Sequence, residues 1–411
     1  MLDFAIVGGG GYALEHYKNI KTWGLELGCR VVAVAVRPQD RKFSAMDTFA
    51  TDGVRVFDDA GEMMAALAGG IDGVIIPTSI DTHSELACRA LDLGHNVYLE
   101  KPPAGTIQEV DAILRSARAA YRKNQVLLLG FQAIYSQSVN FIKGRVCSGR
   151  LGQVKRLRCW ALWSRNDAYY SRNEWAGRLT SNGKWILDGP VNNALAHQTA
   201  NLLYLASSHP REFAVPKSVR AEFYHARPIE SEDTASIEIA TADGPLAYFV
   251  ASHATAGVFE GPFIEMDCQL GQVHWQFDGH SHIRYSDGKI ETAADLCTPP
   301  KAALANFVEA VRARDQGLVK CTVEMGRNFT LAVNGAFESA RQTRPIPPEL
   351  ISQDGQAGQR RLIVAGLDQA IVRCGQEGKL FSDAGASWAV PTESFDLSGY
   401  EKFPTQFGKE G

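Results

Sequence analysis

Along the first third of the chain, apolar residues fall in short, nearly unbroken runs: Phe4 to Val7, Arg30 to Val36, Gly73 to Ile76, Asn96 to Leu99 and Val126 to Leu129. Longer stretches with helical spacing separate most of them. A strand covered on both faces shows no polar alternation, so these runs predict parallel strands joined by helices. Between the third and fourth runs, Thr82 and Glu85 stand three residues apart, the pattern of a helix-capping box. Leu86, Ala87, Ala90 and Leu91 then supply an apolar stripe that Gly94 stops.

Beyond about residue 150 the texture changes. Lys155 to Trp163, Ser236 to Ala240, Leu246 to Ser252 and Val273 to Phe277 read as strands separated by turns, which implies an antiparallel sheet. Helical stretches at Asn193 to Ala206, Ala302 to Arg314 and Glu324 to Arg341 make this half α+β. After Pro345-Ile346-Pro347-Pro348 a tail carries one amphipathic helix around Arg360 to Cys374 and an irregular segment holding Trp388. The expected fold is therefore an α/β Rossmann dinucleotide-binding domain over 1–131, then an α+β domain with a large, mostly antiparallel open sheet over 132–348. A C-terminal accessory helix and arm fill 349–411.

Composition narrows the functional classes. With 45% hydrophobic and 21% charged residues over 411 positions, the chain has the balance of an ordinary globular protein large enough for two cores. A net charge of -4 gives no global pull towards nucleic acid or anionic lipid. No uncharged apolar run reaches the length of a membrane span. The opening Met1-Leu2-Asp3-Phe4 lacks the basic and then apolar stretch of a secretory leader, which predicts a cytoplasmic location. The eight cysteines (Cys29, Cys88, Cys147, Cys159, Cys268, Cys297, Cys321, Cys374) include no CxxC pair and no histidine at ligand spacing. They read as buried thiols, with no metal site expected.

Chemistry enters at the first turn. Gly8-Gly9-Gly10-Gly11-Tyr12-Ala13 follows a strand and precedes a helix, so the pattern GxGxxA falls on Gly8, Gly10 and Ala13 in the context of a dinucleotide fingerprint. Gly8 suits the tight turn, Gly10 lets backbone approach a pyrophosphate, and Ala13 lets helix and strand pack closely. The second strand ends in Val36-Arg37-Pro38, without the acid that binds an adenosine ribose. Arg37, with Arg41 one turn on, points to NADP within the NAD(P) class. Asn96 to Leu99 leads into Glu100-Lys101-Pro102, which places a lysine at the carboxyl end of a parallel strand, where doubly wound sheets bind ligands. Beside an oxidised nicotinamide, that ammonium would have a lowered pKa and could exchange a proton with a reacting hydroxyl.

These motifs, with Val74-Ile75-Ile76-Pro77-Thr78 leading to His83, resemble the glucose-fructose oxidoreductase, inositol dehydrogenase and rhizopine catabolism family (Gfo/Idh/MocA) over residues 2 to about 345. The resemblance implies that Gly8, Gly10, Gly11, Tyr12, Ala13, Pro77, Thr78, His83, Glu100 and Lys101 line the cofactor, and that the Lys101–Pro102 peptide is cis. The family's second catalytic element is an aspartate followed four residues later by a histidine. Here His197 matches the histidine and Asn193 stands at the aspartate's position, one helical turn earlier. Asp188, nine positions before His197, is the alternative acid. Asparagine cannot lend negative charge to a protonated neighbour, which throws the proton relay onto Lys101 and His197.

The stretch Trp160 to Trp185 interleaves aromatic and forked polar side chains as carbohydrate sites do. Trp163, Arg165, Arg172, Trp175 and Lys184 are the candidate substrate contacts, and the cations there also admit a carboxylated sugar. The expected activity is NAD(P)-dependent interconversion of a secondary hydroxyl and a ketone on a sugar, sugar derivative or cyclitol. One rival is a glycoside hydrolase that oxidises its sugar transiently with bound NAD. Another is a nicotinamide-sensing binding protein. The resemblance also implies a homo-oligomer, dimer or tetramer, formed through the C-terminal sheet.

Overall fold

The computed structural model describes residues 1–295 and 298–409. Its first strand, β1 (Leu2–Val7), is buried at its last four positions and feeds the helix α1 (Gly11–Leu27). The series continues with β2 (Cys29–Ala35), α2 (Met46–Thr51), β3 (Arg55–Phe57), α3 (Ala60–Ala66), β4 (Gly73–Ile76), α4 (Ile80–Asp92), β5 (Asn96–Leu99), α5 (Ile107–Tyr121) and β6 (Leu127–Leu129). All six strands run parallel in the order β3-β2-β1-β4-β5-β6. The order reverses direction between β1 and β4, and at such a switch point the loops leaving the carboxyl ends diverge and leave a crevice. Strand β3 has only three residues, and the hydrophobic pattern did not reveal it.

The Thr82–Glu85 capping box is not formed. Helix α4 starts at Ile80 with Ser79 as its N-cap, so Thr82 lies inside the helix with its hydroxyl 2.8 Å from the Ser79 carbonyl. The reciprocal box belongs to α5, where Thr106 and Glu109 cap each other's backbone.

The chain divides into two units, Met1–Tyr135 with Cys297–Arg327, and Ser136–Leu296 with Asn328–Gly411. Residues from about 298 to 327, expected in the second domain, thus belong to the first. The reason is apolar burial. Phe307, on the helix Pro299–Ala313, packs its ring 5.3 Å from that of Phe4 and 5.6 Å from that of Tyr98. Gln316 then extends the first sheet's edge by bonding both backbone groups of Leu127 through its amide.

The second unit contains α6 (Gln137–Cys147), β7 (Val154–Leu162), α7 (Asp167–Tyr170), the hairpin β8 (Thr180–Ser181) and β9 (Lys184–Trp185), and α8 (Ala196–Ala206). Seven strands follow: β10 (Pro216–His225), β11 (Thr234–Thr241), β12 (Leu246–Ser252), β13 (Glu260–Cys268), β14 (Gly271–Gln276), β15 (Ser281–Tyr285) and β16 (Ile290–Ala293). They form a sheet in the order β16-β15-β14-β13-β7-β12-β11-β10, extended by Arg344–Pro345, with Phe395–Asp396 also pairing to β10. Neighbours are antiparallel except β7 with β12 and β10 with Arg344–Pro345. Sheet and class agree with the expected α+β domain. Strands β14 and β15 alternate buried and open positions, the mark of a sheet with one uncovered face.

The tail is part of this unit's core. The segment read as a helix from Arg360 is first a strand, Arg361–Val364, paired with Ile351–Asp354. Gly366 in the left-handed region then separates it from the helix Leu367–Glu377. Leu367, Ile371 and Cys374 bury themselves against Trp160, Leu162 and Val250, and Trp388 packs beside them. The described cysteines are free thiols, while Cys297 lies outside the described residues. Among the described residues no helix is long and apolar enough to cross a membrane.

Candidate active site

Within the first unit the glycine turn is shaped by what a side chain would meet. Gly8 has φ of +109°, and a Cβ built on it would lie 3.0 Å from that of Ala13, so helix and turn approach as closely as the fingerprint requires. At Gly10 an added Cβ would sit 2.5 Å from the Phe43 carbonyl. The bareness of Gly10 therefore admits the turn after β2, a neighbour the sequence reading did not foresee. Around Gly11 there is open space. No side chain caps α1 and its first turn holds no acid, so the positive end of its dipole is not neutralised locally. That arrangement fits a dinucleotide pyrophosphate.

The turn after β5 is held from two sides. Glu100 is buried, with one oxygen 2.9 Å from His16 Nε2 on α1 and the other accepting the Lys101 amide at 3.1 Å. His16, which the sequence reading missed, lies three residues beyond Ala13 on the buried face of α1. Lys101 is half-buried and its peptide to Pro102 is cis, as the resemblance implies. His83 places its ring nitrogens 2.8 Å from the Pro102 carbonyl and 3.0 Å from that of Thr78. At 1% exposure it faces no solvent and clamps the lysine–proline turn to the β4 loop. Burial lowers its pKa against the raising effect of both carbonyls. Pro77 and Thr78 are half-buried at the end of β4. Because β1, β4 and β5 are sheet neighbours, the glycine turn, Thr78 and Lys101 emerge along one carboxyl edge. Tyr12, in the same turn, receives a hydrogen bond from Gln132 at 2.8 Å. Burial, first, and the Glu100 charge, second, raise its pKa.

The arginines that favoured NADP are both paired. Arg37 donates to Asp40 at 2.6 Å and Arg41 to Asp58. Their charge is balanced locally, which weakens the case for a phosphorylated ribose.

In the second unit, Asn193 and His197 do not share one regular helix. Asn193 lies in a π-helical turn, Pro190–Ala194, and His197 opens α8. Wider turns of this type cluster at functional sites. Asp188, the alternative acid of the sequence reading, is buried and accepts from Asn193 Nδ2 at 2.7 Å, Arg172 Nη2 at 2.8 Å and the Gly177 amide at 2.8 Å. Negative charge therefore stands one hydrogen bond behind the asparagine. Beneath the turn, Glu232 is fully buried, with Ser231 Oγ donating at 2.6 Å and the Val191 amide at 3.3 Å. Burial pushes its pKa up to about 8, with the Asp188 charge adding to the rise. Sequence offered no signal for Glu232 beyond an acid between strands.

Of the proposed substrate contacts, Trp163 is buried and stacks on Phe259 with ring centres 4.8 Å apart. Arg165 lies 5.0 Å from the ring centres of both Trp163 and Tyr169, and Arg172 lies 3.8 Å from Tyr169 and 5.1 Å from Trp175. Four of the five are thus brought into one ladder. Lys184 lies in the β8–β9 hairpin. Trp160 and Trp185 are packing residues, the first in the sheet core and the second against Phe403 and Phe407.

Residues 2–128 match the family model described as oxidoreductase family, NAD-binding Rossmann fold. An inositol 2-dehydrogenase of Azotobacter vinelandii (strain DJ / ATCC BAA-1303) is 25% identical over 208 residues, 51% of this chain and 55% of the relative, so the chain spans about half the length of that protein. Among solved structures, levoglucosan dehydrogenase in complex with NADH shares the fold at a TM-score of 0.70 and 16% identity, covering 82% of this chain and 96% of that one. The WlbA dehydrogenase of Bordetella pertussis, in complex with NADH and UDP-GlcNAcA, does so at 0.67 and 20%, covering 83% and 96%.

Proposed function

We propose that the chain, whose residues 2–128 match the family model described as oxidoreductase family, NAD-binding Rossmann fold, is a Gfo/Idh/MocA-type dehydrogenase acting on a secondary hydroxyl of a sugar, sugar derivative or cyclitol. The observation that carries this reading is the sharing of one sheet edge by an uncapped glycine turn and a half-buried lysine braced by His16–Glu100 and His83–Pro102 contacts. The turn Gly8–Ala13 and the first amides of α1 would hold the pyrophosphate, with Pro77 and Thr78 beside the rest of the nucleotide. The balanced charge at Arg37 and Arg41 supports NAD over NADP.

The nicotinamide, when bound, accepts or returns a hydride. Lys101 donates a hydrogen bond to the substrate oxygen and polarises it. His197, in the second unit, is the proposed base for a hydroxyl proton. Asn193, in the same unit as His197, is proposed to orient a substrate hydroxyl through its amide, with the carboxylate of Asp188 behind it. We also propose that copies associate through the uncovered face of β14 and β15, whose polar positions alternate with the core.

The test is absorbance of the reduced cofactor across a panel of sugars and polyols, with wild type and Lys101→Ala. Loss of a general acid–base group lowers turnover on the order of 10²- to 10⁴-fold, with NADH affinity unchanged. Near-native turnover by the variant would remove Lys101 from the mechanism. Release of aglycone without net redox change would favour the transient-oxidation hydrolase, and cofactor binding with neither change would favour a sensor.

A further inference from the structure

Resting on the dehydrogenase reading, the ladder in the second unit narrows the substrate class. Rings and guanidinium planes alternate along it as Trp163, Arg165, Tyr169, Arg172 and Trp175. A guanidinium whose faces rest on rings keeps its N–H edge for in-plane acceptors, the geometry that matches a carboxylate. The two arginines differ in what that edge holds. Arg172 is committed to Asp188 at 2.8 Å and to the Tyr169 carbonyl at 2.8 Å.

Arg165 makes no ion pair among the described residues, and its buried Nε has no hydrogen-bond partner, although its side chain also meets the Tyr169 hydroxyl. The neighbouring acids are engaged elsewhere. Asp167 is shared by Arg227 and Arg360, and Asp233 accepts the backbone amides of Ala226 and Arg227. A half-buried cation without a counter-charge is costly, and an anionic ligand group offsets that cost.

We propose that the substrate is a sugar acid, its carboxylate read by the guanidinium edge of Arg165. Arg172 and Asn193 share Asp188, so one hydrogen-bonded network ties the carboxylate-reading ladder to the turn proposed to orient the reacting hydroxyl. A neutral sugar or cyclitol would leave Arg165 unanswered.

The experiment is a binding titration on the full chain, followed by tryptophan fluorescence, since Trp163 and Trp175 flank the two arginines. The probes are D-glucuronate, D-galacturonate and D-gluconate, the neutral parents D-glucose and D-galactose, and D-glucose 6-phosphate. A charge-assisted hydrogen bond predicts that at least one acid binds on the order of ten- to a hundred-fold tighter than its parent. Arg165→Gln should erase that ratio by weakening the acid more than its neutral parent, and Arg165→Lys should restore only part of it. Should Arg165→Gln fail to fold, the wild-type ratio alone decides.

Equal binding of acid and parent, failure of every acid to bind, tightest binding by the sugar phosphate, or equal weakening of both classes in Arg165→Gln overturns the proposal. Cofactor reduction with neutral substrates alone would sink the sugar-acid assignment and leave the dehydrogenase standing. Acid-selective binding without cofactor reduction by any probe would do the reverse.

Discussion

Glu232 gives the structure's sharpest quantitative consequence. Its carboxyl is fully buried against Gly189, where an added Cβ would lie 2.1 Å from Oε1. Its pKa rises from 4.5 to about 8, first because burial disfavours the charged form. In the unfolded chain the group loses its proton near pH 4.5, while the folded protein keeps it to about pH 8. Between those values the folded state binds more protons, so stability falls as pH rises and is fully present only below the unfolded pKa. Each pH unit across the window is worth about 1.4 kcal/mol, so about 5 kcal/mol is lost by pH 8.

Glu232→Gln keeps the shape and cannot ionise. Its amide oxygen can accept the Val191 amide, and its NH₂ can donate to Ser231 Oγ. The variant should match wild type near pH 4.5 and exceed it progressively towards pH 8, by several kcal/mol at the top of the window. Urea unfolding of both proteins at half-unit pH steps measures this. A stability difference that does not change with pH refutes the reasoning, because the carboxyl would then titrate alike in both states. The stabilised variant should also hold the Pro190–Ala194 turn, and with it Asn193, at alkaline pH.

Two further outcomes follow from neighbouring charges. Asn193→Asp, which restores the family's acid, sets a second carboxylate about where Nδ2 now lies 2.7 Å from Asp188, and like charges at that range resist joint ionisation. Turnover should fall roughly ten-fold or more, on the scale of one lost charge-assisted hydrogen bond, with a lower Tm. Asn193→Asp/Asp188→Asn should recover both, and a fully active single variant would refute the Asp188 role. Asp40→Ala frees Arg37 and should move the ratio of kcat/KM for NADP over NAD upward by roughly two- to five-fold, the scale of an exposed ion pair. An unchanged ratio would show that Asp40 does not set the preference.

Much of the first unit was legible because its signals are local. Parallel strands buried on both faces appear as apolar runs, and β4 and β5 begin and end where those runs do. The sequence misplaced the α4 cap because Ser79, Thr82 and Thr106 are all competent cap residues, and only the path of the chain selects among them. It also missed β3, whose three residues carry no period, and split the tail from a core that Leu367 and Ile371 help to build.

Consecutive residues alone specify the dinucleotide fold, the glycine turn, Lys101 at the end of β5 and the aromatic and cationic character of the 160–185 stretch. Each is written in consecutive residues whose periodicity or backbone demands are read directly. The partners those groups meet come from the folded chain: His16 behind Glu100, Asp188 behind Asn193, Asp40 on Arg37, Glu232 beneath the π-helical turn, and Arg165 between two rings without a carboxylate. The His16–Glu100 and Glu232–Val191 contacts join residues well separated along the chain. Such contacts depend on how whole elements pack, which no local pattern encodes.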